Sequence, residues 1–338
     1  MFPFKSLFSA KLSMAVQDMD IEDVGKSIDV KWDVVKPIVE RLLISDEISG
    51  KLIKYQINTG GRRVRPFFTI LFCNAFGGKE EDALYPAAAS ELIHNASLVV
   101  DDVIDDQETR RDLLSMPKKF GTNIAWCASV DYCASALAAL RSGKRPEEMA
   151  TLFIKTLKDM ADGQTKDVYY NMLMEKSCNP ITESEYIDNI FDRTGSLFVF
   201  SRMVGHLSSG NMNNLEKTES FGTNYGIAFQ IANDIKDAFG HSSNTPGKDM
   251  IQGKINNIVY LTAMRDLSIA KRAQFIQAIK SNGGDISPVL EMVSQTGAKE
   301  TAGKLLYKYA REAERNAPQG PEGRVIRASI DYFFEPFY

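Results

Sequence analysis

A chain of 338 residues with 44% hydrophobic content is long enough to bury one large core or two medium ones. Its formal net charge of −4 sets up no field that would attract nucleic acid, and no apolar run is long enough to span a membrane. Four cysteines (Cys73, Cys127, Cys133, Cys178) lie in apolar helical contexts without C-x-x-C pairing, as expected of buried, reduced thiols in a cytoplasmic protein.

Residues 1–24 read as an N-terminal arm, flexible or in contact with a partner. Lysines precede the first acid, Asp18, but arginine and a continuous apolar stretch are missing, so organelle targeting by this arm is left open. Apolar periodicity then predicts helices over roughly 25–57, 66–76, 81–106, 118–142, 146–170, 183–208, 213–239, 250–281, 287–316 and 322–335. The stretch from Pro146 is typical: Glu147 and Glu148 complement the helix dipole, and Met149, Leu152, Phe153, Thr156, Leu157 and Met160 repeat at helical spacing. Period-two alternation is absent, which predicts an all-α fold. Short breaks such as "NTGGRR", "FGGKEED" and "KSCNPIT" predict one helical domain over 25–338, with central helices surrounded by others.

Charge is concentrated in a few places. In "HNASLVVDDVIDDQETRR", His94, Asp101 and Asp105 project within about 20° of one line on a helix, with Asp102 beside them. Like charges one turn apart destabilise a helix, so the cluster calls for a cation. Oxygen ligands without thiolate or paired histidine point to Mg²⁺, or Mn²⁺, together with substrate phosphate. A second cluster, "FQIANDIKD", places Asn233, Asp234 and Asp237 at the same spacing. Two such helices make a mouth for several ions that neutralise a diphosphate leaving group. Fixed cations for phosphate stand in "GGRRVRP" (Arg62, Arg63, Arg65), at Arg110–Arg111, in "DRTGS" (Arg193, Thr194) and in "GKDMIQGK" (Lys248, Lys254).

The ordered set "GGRRVRP", "DDVIDDQETRR", "GQTKD", "DRTGS", "FQIANDIKD", "GKDMIQGK" resembles the trans-isoprenyl diphosphate synthases over roughly 55–260. The resemblance implies an isoprenoid-synthase-type helical bundle around a central cavity, usually homodimeric. It implies Asp101, Asp102, Asp105, Asp234 and Asp237 as metal ligands; Arg110, Arg193, Lys248 and Lys254, assisted by Thr194 and Gln230, as holders of an allylic diphosphate; and Arg62, Arg65, His94 and Arg111 as holders of isopentenyl diphosphate. The implied catalytic set is Asp101, Asp102, Asp105, Asp234 and Lys254, and the implied reaction is chain elongation to a trans-polyprenyl diphosphate. Ala96 and Ser97 occupy the family's chain-length positions and are small, which implies a product of C20 length or longer unless a residue such as Trp126 closes the floor.

The sequence departs from the family pattern at several points. Asn233 stands for an aspartate and Asp112 for a glycine, where its carboxylate would compete for Arg110 or Arg111. Arg62 and Arg193 stand where lysine is commoner, Val130 precedes Asp131 in place of glycine, and "KINNIVYL" lacks the usual threonine and proline. A terpene cyclase of the same fold and a noncatalytic regulatory subunit are the alternatives. Arg62, Arg65 and His94 argue against a cyclase, which has no second diphosphate to hold. Phe198 and Phe229 are candidates to face a carbocation. His206, His241, Met172 and Met174 read as ordinary structural residues, and the aromatic C-terminus as a packing segment against the body or a second copy.

Overall fold

The computed structural model describes residues 21–43, 46–240, 246–251, 253–281, 287–334 and 337, with backbone only at 21–23, 248–249 and 280–281. Most of the N-terminal arm and His241 lie outside the described residues, as does the side chain of Lys248.

The chain is helical: α1 (Ile21–Leu42), α2 (Glu47–Asn58), α3 (Val64–Ala75), α4 (Glu80–Ile104), α5 (Met116–Phe120), α6 (Thr122–Leu140), α7 (Pro146–Ser177), α8 (Glu183–Ile190), α9 (Ser196–Ser209), α10 (Leu215–Phe239), α11 (Lys248–Ile251), α12 (Ile258–Asp266), α13 (Ile269–Ser281), α14 (Ser287–Ser294), α15 (Ala298–Arg315) and α16 (Gly320–Phe334). Local chemistry sets the breaks that periodicity alone does not show. Asp46 caps α2 by accepting from the Ile48 and Ser49 amides at 2.8 Å, which divides the expected 25–57 helix in two. Between α8 and α9 the backbone widens into one π-helical turn, Phe191–Gly195. Such turns concentrate at functional sites. A two-residue hairpin, β1 (Thr109–Arg110) with β2 (Leu113–Leu114), is the one β element among the described residues. At this length it leaves the all-α class intact and escapes any alternation test.

Two compact units are formed. The first comprises the described residues up to Ile154, with Phe200–Glu219 and Ala317–Tyr332. In it α4 packs chiefly on α6 and α3, burying Ala87, Ala88, Leu92, Ile93, Ala96 and Val99 against Phe67, Phe68, Phe72 and Tyr132. The second comprises Lys155–Val199, Ser220–Asn316 and the described residues after Tyr332. Here α12 packs on α15, and Phe198, Tyr225, Phe229, Phe333 and Phe334 form a continuous aromatic cluster with ring centroids 4.9 to 6.4 Å apart. Phe333 and Phe334 of the aromatic C-terminus therefore pack on the body of their own chain.

Cys73 is buried, and burial pushes its thiol up to about 12. Cys127, expected to be buried, is exposed, because the α6 face carrying it with Trp126 and Val130 points away from the core of its unit. His206 is a core histidine stacked on Phe76, with Nδ1 2.8 Å from Thr218 Oγ1. Met174 is buried, whereas Met172 is half exposed.

Candidate active site

The first acidic wall is the C-terminal end of α4. The helix carries it there because its upstream stretch, Glu91 to Val99, is mostly core, and its end spreads the acids over different environments. Asp101 and Asp105 are part-exposed. Asp102 is fully buried, and its Oδ1 accepts from Arg110 Nε at 2.7 Å and Arg110 Nη2 at 2.5 Å. Burial pushes the Asp102 carboxyl upward against the opposing pull of Arg110. Its Oδ2 is buried without a hydrogen-bond partner.

Beyond this wall the β1–β2 hairpin turns through Arg111 and Asp112, both left-handed with φ of 54° and 65°, the signature of a tight primed turn. Arg110 is thereby directed to Asp102 and Arg111 to the glycine turn before α3, where it donates to Gly60 O and, at 3.4 Å, to Thr59 Oγ1. Gly61 makes this seat: a Cβ there would stand 2.5 Å from Arg111 Cζ. Asp112 is exposed, and the two guanidiniums it was expected to draw away have these other partners.

The consequence is an electropositive cluster. The half-buried His94 is held well below its usual range by burial first, then by Arg65, Arg111, Arg110 and Arg63. Its Nδ1 is buried without a hydrogen-bond partner. Arg111 itself is lowered to about 10, by burial and by repulsion from Arg63. Arg65 is buried and Arg62 exposed at the start of the same turn. Segments remote in sequence thus bring guanidiniums around one imidazole, an arrangement whose charge calls for an anion.

In the second unit, α10 carries the other acids. Asn233 is exposed and Asp237 part-exposed, with Asp237 Oδ2 accepting from Tyr260 OH at 2.7 Å. Asp234 is buried and serves three donors: Tyr186 OH at 2.7 Å, the Ile258 amide at 2.8 Å and Gln230 Nε2 at 2.9 Å. Gln230 Oε1 in turn accepts from Thr194 Oγ1 at 3.1 Å. Arg193, on the π turn, pairs with buried Asp167 at 2.6 Å, and Asp167 also accepts from Asn256 Nδ2 at 2.8 Å. Gly163 lets this turn approach α7, since a Cβ there would meet the Arg193 amide nitrogen at 2.5 Å. Asn257 caps α12 through the Val259 amide at 2.9 Å, which explains how "KINNIVYL" dispenses with threonine and proline. Lys254 is part-exposed in the preceding loop.

Hard divalent ions accept a few carboxylate oxygens plus water and substrate phosphate oxygens. Among the described residues, no three or more His, Cys, Asp or Glu side chains are gathered into a ready-made metal cage. The donor chemistry nonetheless fits such an ion. In the first unit Asp102 Oδ2 is buried without a hydrogen-bond partner and Asp101 and Asp105 are part-exposed; in the second, taken by itself, Asp237 and the amide oxygen of Asn233 are the outward oxygens.

At the chain-length positions, Ala96 is buried with its carbonyl accepting from Ser129 Oγ at 3.3 Å, and Ser97 is part-exposed. Phe198 is buried within the aromatic cluster, and Phe229 is part-exposed. Sequence reading assigned no role to several partners of these side chains: buried Glu91 and part-exposed Trp32 in the first unit, and buried Asp167, Tyr186 and Asn256 in the second. Glu91 left a trace as an acid inside an apolar run, and Asp167 and Asn256 lie within the segments "GQTKD" and "KINNIVYL".

Comparison with known proteins agrees with this architecture. The polyprenyl synthetase family model matches residues 46–296. The geranylgeranyl diphosphate synthase of Sulfolobus acidocaldarius is 34% identical over 206 residues, covering 57% of this chain and 61% of that enzyme, so this match spans under two thirds of the relative. The nonaprenyl diphosphate synthase of Mycobacterium tuberculosis is 27% identical over 94% of this chain and 96% of its own. The crystal structure of geranylgeranyl pyrophosphate synthetase from Pyrococcus horikoshii superposes with a TM-score of 0.84 at 25% identity, over 93% of this chain and 98% of that one. The family model spans most of the chain and the fold is shared throughout: the chain belongs to the polyprenyl synthetase family, with the all-α isoprenoid synthase fold.

Proposed function

We propose that the protein is a chain-elongating prenyltransferase that condenses isopentenyl diphosphate with an allylic diphosphate to give a trans-polyprenyl diphosphate. The observation that carries this reading is that the β1–β2 hairpin turns both its arginines inward beside the acidic end of α4, Arg110 onto Asp102 and Arg111 onto Gly60 in the turn that carries Arg62. A cyclase, with one diphosphate to hold, has no use for that second cationic site.

Asp101, Asp102 and Asp105, with Asp234 and Asp237, are the implied magnesium set. Asp101, Asp105 and Asp237 are the reachable members, while Asp102 and Asp234 are buried and also orient neighbours. Mg²⁺, when bound, supplies the positive charge that stabilises a departing diphosphate. Arg110, Arg193, Lys248 and Lys254 hold the allylic diphosphate, with Thr194 and Gln230 assisting. Arg62, Arg65, Arg111 and His94 hold isopentenyl diphosphate, and His94, kept neutral, offers a hydrogen bond rather than a further charge.

The allylic C–O bond breaks with its electron pair leaving on the diphosphate, and the alkene of isopentenyl diphosphate attacks the resulting cation. Loss of a proton to the released diphosphate regenerates an alkene. Part-exposed Phe229 suits the cation through its π face. Small Ala96 and Ser97 support a product of C20 length or longer.

The outward face of α6, with Trp126 44% and Val130 70% exposed, supports a homodimer built on this helix. No helix among the described residues is long and apolar enough to cross a membrane, and the four free cysteines suit a reducing cytoplasmic location.

The test is incubation with Mg²⁺, isopentenyl diphosphate and allylic primers of increasing length, followed by mass spectrometry. Diphosphates longer than the primer by whole isoprene units are expected. A hydrocarbon or alcohol made from primer alone would point to a cyclase, and inertness without an added partner to a regulatory subunit.

A further inference from the structure

Arg63 stands between Arg62 and Arg65, yet it has a different environment. Its side chain is buried, and so is that of its ion-pair partner Glu91 on α4. Its Nη2 donates to Ile57 O at 2.6 Å, closing the end of α2, and its guanidinium lies 4.2 Å over the Trp32 ring of α1. Glu91 Oε1 takes a second donor, Asn95 Nδ2, at 2.8 Å. Arg63 is also left-handed, with φ of 49°, a conformation that L residues keep only where their surroundings enforce it.

We infer that Glu91 and Arg63 are positioning residues: their buried ion pair holds the left-handed backbone that aims Arg62 and Arg65 and seats Arg111 on Gly61. The pair touches neither substrate. It acts by fixing the turn from Thr59 to Arg62 against three helices. The turn then presents Gly60 O to Arg111 and keeps Gly61 at a φ of +123° in contact with its guanidinium. Released from Glu91, residue 63 relaxes to the right-handed region, which redirects both flanking arginines and breaks up the Arg111 seat. Arg110 is held instead by Asp102, at the end of α4. The damage therefore falls on one of the two diphosphate sites.

This inference rests on the proposed assignment of Arg62, Arg65, His94 and Arg111 to isopentenyl diphosphate. Its test uses the full chain in three forms: wild type, Glu91→Gln, and the double variant Arg63→Met with Glu91→Met. KM for each substrate, calorimetric binding of isopentenyl diphosphate and Tm are measured on all three. Glu91→Gln is expected to raise KM for isopentenyl diphosphate about tenfold or more, as misplacement of binding groups does, with the allylic KM changed less than about twofold. An apolar pair replacing a buried ion pair commonly restores stability. The double variant is therefore expected to recover the wild-type Tm while keeping the raised KM.

Parallel rises in both KM values, or recovery of KM along with Tm, would show a merely structural pair and overturn the inference. Wild-type protein that binds no isopentenyl diphosphate would instead overturn the underlying assignment.

Discussion

Replacing Asn233 by aspartate should tighten divalent-ion binding at the second acidic wall. Asn233 is exposed at the start of the turn that ends at Asp237, whereas the intervening aspartate, Asp234, is buried under three donors. The outward positions of this wall thus carry one carboxylate and one amide. At about 4 Å in water-like surroundings a unit charge pair is worth roughly 1 kcal/mol, and a divalent ion doubles this to about 2 kcal/mol. That converts to roughly thirtyfold in affinity. Without metal the same substitution sets like charges four residues apart on α10, costing about 0.2–0.5 kcal/mol.

Asn233→Asp is therefore expected to lower Tm slightly in chelator and to raise it above wild type in Mg²⁺. Manganese titration followed by electron paramagnetic resonance, in the presence of inorganic pyrophosphate, reads the affinity directly. Unchanged affinity together with an unchanged Tm difference between metal and chelator would refute the idea that position 233 faces the ion.

Other substitutions probe the neighbouring links. Asp112→Gly should relieve the left-handed backbone at φ of 65° and raise stability by roughly 0.5–1 kcal/mol, read as a higher Tm with both KM values retained. Gly61→Ala should push the Arg111 guanidinium from its seat and raise KM for isopentenyl diphosphate by about tenfold or more, an effect absent if Arg111 serves elsewhere. Tyr186→Phe deletes the 2.7 Å hydrogen bond to buried Asp234 and should cost about 1.5–3 kcal/mol in urea unfolding.

The pH dependence of stability has two histidine sources in the first unit, His94 and His206, both held below their usual range by burial. Burial lowers His206 from 6.5 to about 4, so its neutral form is favoured in the folded state. This contribution is complete above pH 6.5 and is lost as pH falls toward 4, with a slope of up to about 1.4 kcal/mol per pH unit. His206→Gln should flatten that slope in that window, and an unaltered slope would exclude this histidine as a source.

Helical class, motif order and the placement of the acids at the end of α4 were legible from sequence because each depends on local periodicity. The apolar stretch from Glu91 to Val99 fixes which face of α4 is buried, and the acids at its end follow. What sequence left hidden depends on long-range pairing. Asp101, Asp102 and Asp105 read alike in the chain, yet only Asp102 is buried against Arg110. Asp234 differs from Asp237 in the same way, through Tyr186 48 residues upstream. The hairpin around Arg111 was invisible because two left-handed non-glycine residues make its turn. The capping role of Asn257 was hidden by the expectation of a threonine and proline there.

The central claim is that carboxylates from both acidic motifs serve one ionising diphosphate, and a kinetic double-mutant cycle tests it most directly. Elongation of an allylic primer by isopentenyl diphosphate in Mg²⁺ is measured for wild type, Asp101→Ala, Asp237→Ala and the double variant. Residues acting as one unit are grossly non-additive. Each single change is expected to remove about a thousandfold or more of the rate, and the double variant to be little worse than the poorer single. Losses that multiply, or either single variant retaining near wild-type turnover, would contradict the account.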